Sequence, residues 1–386
     1  MNDIIQVLNE MRPYDDMELK PALARVLENE KFHGVLKYAF PDRDVQASIE
    51  VLKNVSSVSG FQEEFSSKAV ASVLEQTATS FSYSGIENID KNTSYLFISN
   101  HRDIVLDSAI LQYVLLQNGH LTTQITFGSN LMSSQFIVDL GKINKMFTFF
   151  RGGSRLEVYK NALVHSQYIK DVIVNKNESI WIAQRDGRTK NGDDQTQLSL
   201  LKMLTIKEKD AIEAIKQLNI VPISISYEYE PCDLQKVSEL QKAKHGTYNK
   251  SKDEDLNSIL NGITGSKGKV HLAFGKPIKE YINENRSSLN ACNIHQSVCD
   301  EMDRQIYSNY KLNAINYIAY DLLNNSVVYK GDQYCQTKVD DFKKMVENKV
   351  KTQADLDSEE LTKAFFTMYA SPLINVLKVE NSCFRI

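Results

Sequence analysis

The sequence predicts an α/β protein with a mixed, largely parallel sheet flanked by helices, and with a helical module at each end of the chain. Two observations support this fold class. Residues 1–80 and 281–386 carry apolar side chains at the three- and four-residue spacing of amphipathic helices. Residues 81–280 instead contain short β-rich runs separated by helical or polar stretches. We therefore expect an N-terminal helical module, an α/β core and a C-terminal helical module.

Helical periodicity begins near Asp15 and continues to about Ala78, through MELKPALARVLENEKFHGVLKYAF and RDVQASIEVLKNVSSV. The core then contains six runs that combine β-branched and aromatic residues and are bounded by turn-forming ones. These predicted strands are SYLFISN, TQITFG, MFTFFRG, SIWIAQ, IVPISISYEYE and KVHLAFGKPI.

The polar stretch from Gln241 to Asn257, QKAKHGTYNKSKDEDLN, is predicted to be a surface loop. After Pro277 the helical spacing returns and continues through three further segments. These are IHQSVCDEMDRQIYSNYKLNAINYIAYDLLNN, KVDDFKKMVENKV and SEELTKAFFTMYASPLINVL.

Composition limits the classes of function. With 386 residues, the chain is long enough for two or three structural units on a sizeable core. Apolar residues make up 42% and charged residues 24%, which excludes a disordered chain. The net charge of -4 gives no electrostatic basis for binding nucleic acid.

The N-terminus is acidic where a secretory signal would be basic, and no long apolar region follows it. The most apolar segments, IVLDSAILQYVLL and AINYIAYDLL, are interrupted by Asp107 and Asp321. They fall short of the roughly 18 residues that cross a bilayer. We expect a cytoplasmic protein that is soluble or bound only peripherally, at the cytoplasmic face of a membrane.

One cluster has the residue types of a metal site. Cys292, His295 and Cys299 lie at i, i+3 and i+7, which is one face of a helix. No fourth ligand is nearby, and the same spacing is typical of a core stripe. We therefore predict no metal site in this cluster.

The stretch YLFISNHRDIVLDSAIL contains HRD, the tripeptide of the protein-kinase catalytic loop. A kinase would need a metal-binding Asn where this chain has Ser108, and it would need a DFG triplet and a glycine-rich phosphate loop. None of these occurs, and neither does the G-x-S-x-G elbow of serine hydrolases. The remaining interpretation pairs His101 with Asp107, six positions later.

Four polar clusters coincide with predicted strands. SNHRDIVLD follows YLFI, RGGSR follows MFTFF, and QRDGRTKNGDD follows SIWIA, while VPISISYE is a strand with a proline near its start. In α/β sheets, ligands bind in the crevice beyond the carboxyl ends of the strands. We therefore expect these clusters to form one site.

In this order the four clusters resemble the sequence blocks of the glycerolipid acyltransferase family, the glycerol-3-phosphate and 1-acylglycerol-3-phosphate acyltransferases. Asn100 and His101 with Asp107 resemble the first block, a His-Asp pair. FTFFRG, with Phe150 and Arg151, is similar to the second, an aromatic strand that ends in a substrate-binding arginine.

The third block of the family is a phosphate-binding loop of the Glu-Gly-Thr-Arg type, and Asp186, Gly187 and Arg188 occupy its place. The fourth is a strand with a proline, here Pro222. The resemblance spans His101 to Tyr227.

The chain departs from the family in two positions. Five residues separate His101 from Asp107 where the family has four, and Asp186 stands where Glu is usual. Asp103 is the other carboxylate near His101, but it fits the cap of a helix that starts directly after the histidine. Asp107 follows in an apolar run, where a buried carboxylate needs a partner. We therefore predict Asp107 as the partner of His101, with Asp103 as the alternative.

The resemblance implies acyl transfer from a thioester, acyl-CoA or acyl-carrier protein, to a hydroxyl of glycerol 3-phosphate or a lysophospholipid, with no metal or organic cofactor. It implies His101 as the general base, oriented by Asp107. The predicted substrate-binding residues are Arg151, Gly152, Asp186, Gly187, Arg188 and Pro222. The second-rank residues are Asn100, Asp103, Arg155 and Lys190. Two arginines suit a phosphate because a guanidinium binds it through two parallel hydrogen bonds.

Several alternatives stay open. For Arg155 and Lys190 the favoured interpretation is a solvated loop charge, whereas Pro222 is either a wall of an acyl cleft or simply the start of a strand. An acyltransferase for a phosphate-free lyso-lipid would carry the same His-Asp pair. A catalytically silent lipid-binding protein would explain the altered His-Asp spacing.

Overall fold

The computed structural model describes residues 2–251 and 253–383. Its strands form a seven-stranded sheet in the order β1-β7-β6-β2-β5-β3-β4. The strands are β1 Ala78–Ser84, β2 Leu96–Ser99, β3 Gln124–Gly128, β4 Met146–Phe149, β5 Ile180–Ala183, β6 Ile220–Tyr227 and β7 Gly268–Phe274.

The sheet is mixed and mostly parallel. β2 pairs in parallel with both β5 and β6, and β3 pairs in parallel with β4 and β5. β7 is antiparallel to β6 and parallel to β1, so these two strands run against the other five. The predicted fold class, an α/β protein with helical N- and C-terminal regions, is confirmed.

The N-terminal helices are α1 Asn2–Met11, α2 Asp16–Leu27, α3 Glu30–Ala39, α4 Val45–Lys53, α5 Val58–Phe61 and α6 Lys68–Thr77. The sheet region contains α7 Leu106–Gln117, α8 Gln135–Ile143, α9 Arg155–Lys170, α10 Leu198–Leu204, α11 Ala211–Gln217, α12 Asp233–Lys244, α13 Glu254–Thr264 and α14 Ile278–Glu284. The C-terminal helices are α15 Ile294–Asn309, α16 Ala314–Leu323, α17 Gln336–Lys351 and α18 Ser358–Cys383. Single 3₁₀ or π turns lie at Gln62–Ser67, Ile86–Asn88, Ser129–Leu131 and Asp171–Asn175.

Both faces of the sheet are buried, because strand side chains alternate between two apolar layers. On β2, Leu96 and Ile98 pack with α9, α10, α11, α14 and α15. Phe97, between them, packs with α6 and α7 on the opposite face. This alternation places α7 against one face of the sheet, with its first residue directly after the loop that leaves β2.

The terminal helices have apolar cores of their own. Helices α2 to α5 enclose the Phe32, Phe61 and Phe65 rings. In the C-terminal region, α16, α17 and α18 enclose Phe342 and Phe365. The residues at which the three parts divide stay a prediction.

Two local expectations were wrong. Strand β1 was not predicted, because ATSFSYS is a polar edge strand with no apolar run, and it forms through its pairing with β7. The predicted loop from Gln241 to Asn257 is shorter, because α12 continues to Lys244 and α13 begins at Glu254. Gln241 is buried and donates to Asp357 O at 3.2 Å, which holds the last turns of α12 against α18.

Among the described residues, we find no helix with both the length and the apolar character that crossing a bilayer requires.

Candidate active site

The site is built on the loop 100–105, which leaves the carboxyl end of β2 and enters α7. Asn100 is fully buried, and its side chain hydrogen-bonds the backbone of β6 as a neighbouring strand would. Its side chain donates to Ile225 O at 2.9 Å and accepts from Ile225 N at 2.8 Å. It also donates to Asp194 Oδ2 at 3.1 Å. These bonds fix the backbone from which His101 projects, so Asn100 has a positioning role.

His101 and Asp107 are in contact. His101 Nδ1 lies 2.8 Å from Asp107 Oδ2, and the two side chains are 12% and 1% exposed. An ionised carboxylate only accepts hydrogen bonds, so this contact assigns the proton to Nδ1 and the lone pair to Nε2. The edge of the ring faces Trp181, with centroids 5.7 Å apart. The histidine is thus held in one tautomer and one orientation.

Asp107 is itself held at both oxygens. Oδ2 also accepts from the backbone N–H groups of Arg102 at 2.6 Å and Asp103 at 2.9 Å. Oδ1 accepts from the Tyr227 hydroxyl at 2.9 Å. Burial, reinforced by the charge of Asp107, raises the pKa of Tyr227 well above its usual value, so the phenol stays a donor. Tyr227 was not among the predicted site residues.

Asp103 hydrogen-bonds the start of α7 rather than the His101 ring. Its Oδ1 accepts from Val105 N at 2.9 Å and Leu106 N at 2.8 Å, which caps the start of α7. Its Oδ2 faces Gly262 of α13 so closely that a Cβ atom at Gly262 would collide with it. Burial is the main cause that raises the pKa of Asp103, and the charge of Asp107 adds to it. The carboxylate at the His101 ring is therefore Asp107, as the sequence predicted.

Arg102, between His101 and Asp103, is buried in a network that the sequence did not predict. Its guanidinium donates to Glu230 Oε2 at 2.7 Å, to Asp194 Oδ2 at 2.5 Å and to Gly192 O at 3.1 Å. Lys236 Nζ donates to Glu230 Oε1 at 2.5 Å and to Arg102 O at 2.7 Å. Two buried cations are thus matched by two buried carboxylates, and removing any one would leave an unpaired charge. The network ties the His101 loop to the loop after β5 and to α12.

Two of the predicted clusters meet at the protein surface. Arg151, after β4, forms an ion pair with Asp186, after β5, with Nη1 and Oδ1 2.5 Å apart. Arg151 N also donates to Ser129 Oγ at 3.1 Å, after β3. Gly152 and Gly187 have φ values of 75° and 72°, and a Cβ atom at either would meet no other atom within 4 Å, so each is a left-handed turn open to solvent. Arg151, Gly152, Asp186 and Gly187 thus form one exposed patch.

Arg188 has different neighbours from Arg151. Its side chain lies near the buried thiol of Cys232 and the carboxylate of Asp103, since its charge acts to lower the pKa of both groups. Its Nη1 is buried without a hydrogen-bond partner among the described residues. The expected pairing of Arg151 and Arg188 as one clamp is therefore not seen, because Arg188 turns toward α12 and α13.

The remaining predicted residues are dispersed. Lys190 forms an ion pair with Glu239 and lies over the Tyr248 ring, 5.9 Å from its centroid. Arg155 is exposed at the first residue of α9.

Pro222 is buried in β6, five residues before Tyr227. Side chains alternate along a strand, so an odd separation puts the two residues on opposite faces of the sheet. Ser224, on the same face as Pro222, donates to Ile306 O of α15 at 2.9 Å. The structure therefore separates Pro222 from the His101 cluster, and its position matches a strand residue rather than a wall of the site.

Of the cysteine and histidine cluster, only His295 and Cys299 lie on α15, because Cys292 precedes the helix and is exposed. His295 Nε2 lies 2.7 Å from Thr205 Oγ1, and Cys299 is buried in the apolar core. Within residues 2–251 and 253–383, no group of three or more His, Cys, Asp or Glu side chains is arranged to hold a metal ion.

Asp303 of α15 anchors the end of the loop after β5, where it accepts from Thr196 N at 2.8 Å. Burial raises the pKa of Asp303 to about 7. From about pH 4 to 7 the folded chain therefore binds a proton that the unfolded chain lacks, and stability falls as the pH rises through this window.

Asp303→Asn removes this titration and keeps an acceptor for Thr196 N. Between pH 5 and pH 8 we expect the free energy of unfolding of the native chain to fall, relative to that of the variant, by roughly 2 to 3 kcal/mol. Urea denaturation at both pH values measures the difference, with the exposed Asp340→Asn as the control. Equal pH dependence of native chain and Asp303→Asn variant would show that Asp303 is ionised throughout.

Comparison with known proteins gives little beyond the fold. No protein-family model matches the chain, and no curated protein sequence matches it. One similar solved structure is the 1-acyl-sn-glycerophosphate (LPA) acyltransferase PlsC from Thermotoga maritima, at 14% identity and a TM-score of 0.36, over 76% of this chain and 95% of that chain. Another is the signal recognition particle 54 kDa protein from Aeropyrum pernix K1 in complex with GDP. It has 9% identity and a TM-score of 0.21, over 95% of this chain and 99% of that chain. Both TM-scores are low, so the function is inferred from the site itself.

Proposed function

We propose that the protein is an acyltransferase that moves a fatty acyl group from acyl-CoA or acyl-carrier protein to a hydroxyl of glycerol 3-phosphate or a lysophospholipid. The observation that carries this proposal is the 2.8 Å contact between His101 Nδ1 and Asp107 Oδ2. Within the described residues no hydrogen bond occupies His101 Nε2. This is the arrangement that a general base for an alcohol requires.

In the proposed reaction, His101 Nε2 removes the proton of the acceptor hydroxyl while its oxygen attacks the thioester carbonyl. The imidazolium that forms is stabilised by the buried charge of Asp107, whose orientation Tyr227 maintains. Collapse of the tetrahedral intermediate forms the ester, breaks the carbon–sulfur bond and releases the thiolate, which takes the proton from the imidazolium. Thiolate is a good leaving group, so the reaction needs no covalent acyl-enzyme, metal or organic cofactor.

We assign the phosphate of the acceptor to Arg151. The Arg151 side chain is 37% exposed and that of its partner Asp186 is 73% exposed, so a phosphate group can approach the planar guanidinium from solvent. The glycines that follow Arg151 and Asp186 leave the backbone accessible beside it. Arg188 lies near the buried thiol of Cys232 rather than in the exposed patch, which makes it the weaker candidate.

Arg151→Lys keeps the charge but removes the two parallel donors of the guanidinium. We expect the KM for 1-acylglycerol 3-phosphate to rise by roughly tenfold, about the value of one charge-assisted hydrogen bond. The KM for acyl-CoA should not change. The matched control is Arg25→Lys, at another half-exposed arginine paired with an aspartate, Asp139. Equal KM values for the acceptor in native and Arg151→Lys enzymes would remove Arg151 from the acceptor site.

The proposed activity is tested by the release of free thiol from acyl-CoA and acyl-carrier protein in the presence of an acceptor, with the ester product identified by mass spectrometry. The acceptors are glycerol 3-phosphate, 1-acylglycerol 3-phosphate and monoacylglycerol. Release that requires a phosphate-bearing acceptor supports the proposal. Equal rates with monoacylglycerol would favour a phosphate-free lyso-lipid as substrate. Lipid binding without thiol release would identify a catalytically silent protein.

A further inference from the structure

The segment 151–160, which joins β4 to the first turns of α9, is exposed at every residue. Three of its side chains are large and apolar. Leu156 is 62% exposed, Val158 51% and Tyr159 53%. Contiguous apolar patches that are exposed beside polar residues are typical of surfaces that contact a protein or a membrane.

Helical geometry directs most of this patch away from the protein. Helix α9 is held to the sheet by His165, whose ring stacks on Phe149 with centroids 3.8 Å apart, and by the buried Tyr168. At about 100° per residue, Leu156 and Tyr159 lie on nearly the opposite side of the helix from these contacts. The first two turns of α9 therefore present an apolar outer face.

The charge beside this face is positive. Arg151, Arg155 and Lys160 stand beside two carboxylates, Glu157 and the Arg151 partner Asp186, which leaves one positive charge in excess in a chain whose net charge is -4. Glu157 is already engaged, since its Oε2 accepts from Ser154 N at 2.7 Å in the capping box of α9. An apolar helix face with basic residues beside it matches the surface of an anionic membrane, where apolar side chains enter the interface and cations meet phosphate head groups.

A second copy of the chain fits this face less well. A stable interface buries about 800 Å² on each partner. Three side chains cover only a fraction of that area, and the surrounding cations would repel the same cations on the second copy. The partner that fits both the area and the charge is a lipid surface.

We infer that the segment 151–160 docks the protein on the surface of an anionic phospholipid bilayer, with Leu156 and Tyr159 inserted at the interface. Arg151 belongs to this segment and pairs with Asp186, so docking brings the exposed arginine patch to the membrane. The inference rests on the proposed function for the nature of the acceptor, which is a lipid that reaches the site from the bilayer.

The test is sedimentation of the full chain with vesicles of phosphatidylcholine that contain phosphatidylglycerol, and with vesicles of phosphatidylcholine alone. We expect binding to the anionic vesicles, weakened by added salt. Leu156→Ser with Tyr159→Ser should weaken this binding by roughly tenfold or more, since two apolar side chains no longer enter the interface. The matched control, Val327→Ser with Val328→Ser, changes two side chains that are 68% and 70% exposed and should bind as the native chain does.

Native binding in the Leu156 and Tyr159 variant, or no binding by the native chain, would overturn the inference. So would a native dimer that the variant loses, because the face would then belong to a second copy. Thiol release with water-soluble glycerol 3-phosphate separates the two proposals. The docking variant should keep this activity and lose activity toward acceptor held in anionic vesicles. A native chain that binds vesicles but releases no thiol would contradict the proposed function and leave the docking intact.

Discussion

Replacement of His101 by alanine is expected to lower acyl transfer by roughly 100-fold or more, the contribution of a positioned general base. The reason is local, because Nε2 is the basic atom that the contact of Nδ1 with Asp107 leaves unoccupied. The fold should survive, since His101 is a loop residue whose ring is not part of the apolar core clusters. The measurement is thiol release from acyl-CoA at saturating acceptor, with the amount of product checked by mass spectrometry.

The control for this variant is His120→Ala. His120 lies three residues beyond the C-terminal end of α7, whereas His101 precedes its N-terminal end, so both variants change the surroundings of one helix. Circular dichroism and thermal melting establish that both variants are folded. A folded His101→Ala protein with near-native turnover would exclude His101 as the base, and equal losses in both variants would indicate damage to α7 rather than loss of a base.

The fold could be predicted from the sequence where local pattern decides the structure. Six strands are buried or largely buried apolar runs, and their composition marks them without any knowledge of their neighbours. Strand β1 has no such run, because its order comes from backbone pairing with β7, about 190 residues away. The last turns of α12 are likewise held by a bond from Gln241 to the backbone near the start of α18. Contacts between residues so far apart in the chain leave no pattern in the sequence around either residue.

The distinction between local pattern and contacts across a long sequence separation also explains which residues of the site could be predicted. His101 and Asp107 are six residues apart, so one loop and the first turn of one helix bring them together, and the sequence pattern contains the whole unit. Tyr227 reaches Asp107 from β6, 120 residues later. Its position in an alternating strand indicates which residues share its face, but not that α7 covers that face. Arg102 resembles a surface charge until Glu230 and Asp194 are placed beside it by the fold.

The structure also shows how the five residues between His101 and Asp107 are accommodated. Helix α7 begins at Leu106, and the residues before it form an open loop in which Asp103 caps the helix. The carboxylate of Asp107 is in the first turn and points back at the loop, where it accepts from the amides of Arg102 and Asp103. The loop 100–105 therefore places the ring of His101 against the carboxylate of Asp107.

Asp107→Asn is the second variant for which we expect a large loss, again on the order of 100-fold or more in turnover. Asparagine can adopt only one orientation here, because three N–H donors, from His101, Arg102 and Asp103, converge on the position of Oδ2. The amide oxygen takes that position and the amide nitrogen donates to the Tyr227 oxygen. The ring of His101 stays in place, but the negative charge that stabilises the imidazolium is gone.

Asp103→Asn is the matched comparison, two residues from His101 and equally buried. Asparagine is as good a helix cap as aspartate, so its amide oxygen can keep both bonds to the first turn of α7. We expect turnover within about threefold of the native enzyme, the change that a few tenths of a kcal/mol in a cap would cause. Steady-state kinetics on both variants, at matched acceptor and donor concentrations, decides between the two carboxylates. If Asp103→Asn abolishes turnover while Asp107→Asn is nearly silent, the charge that supports His101 comes from Asp103, and the buried contact with Asp107 only orders the loop.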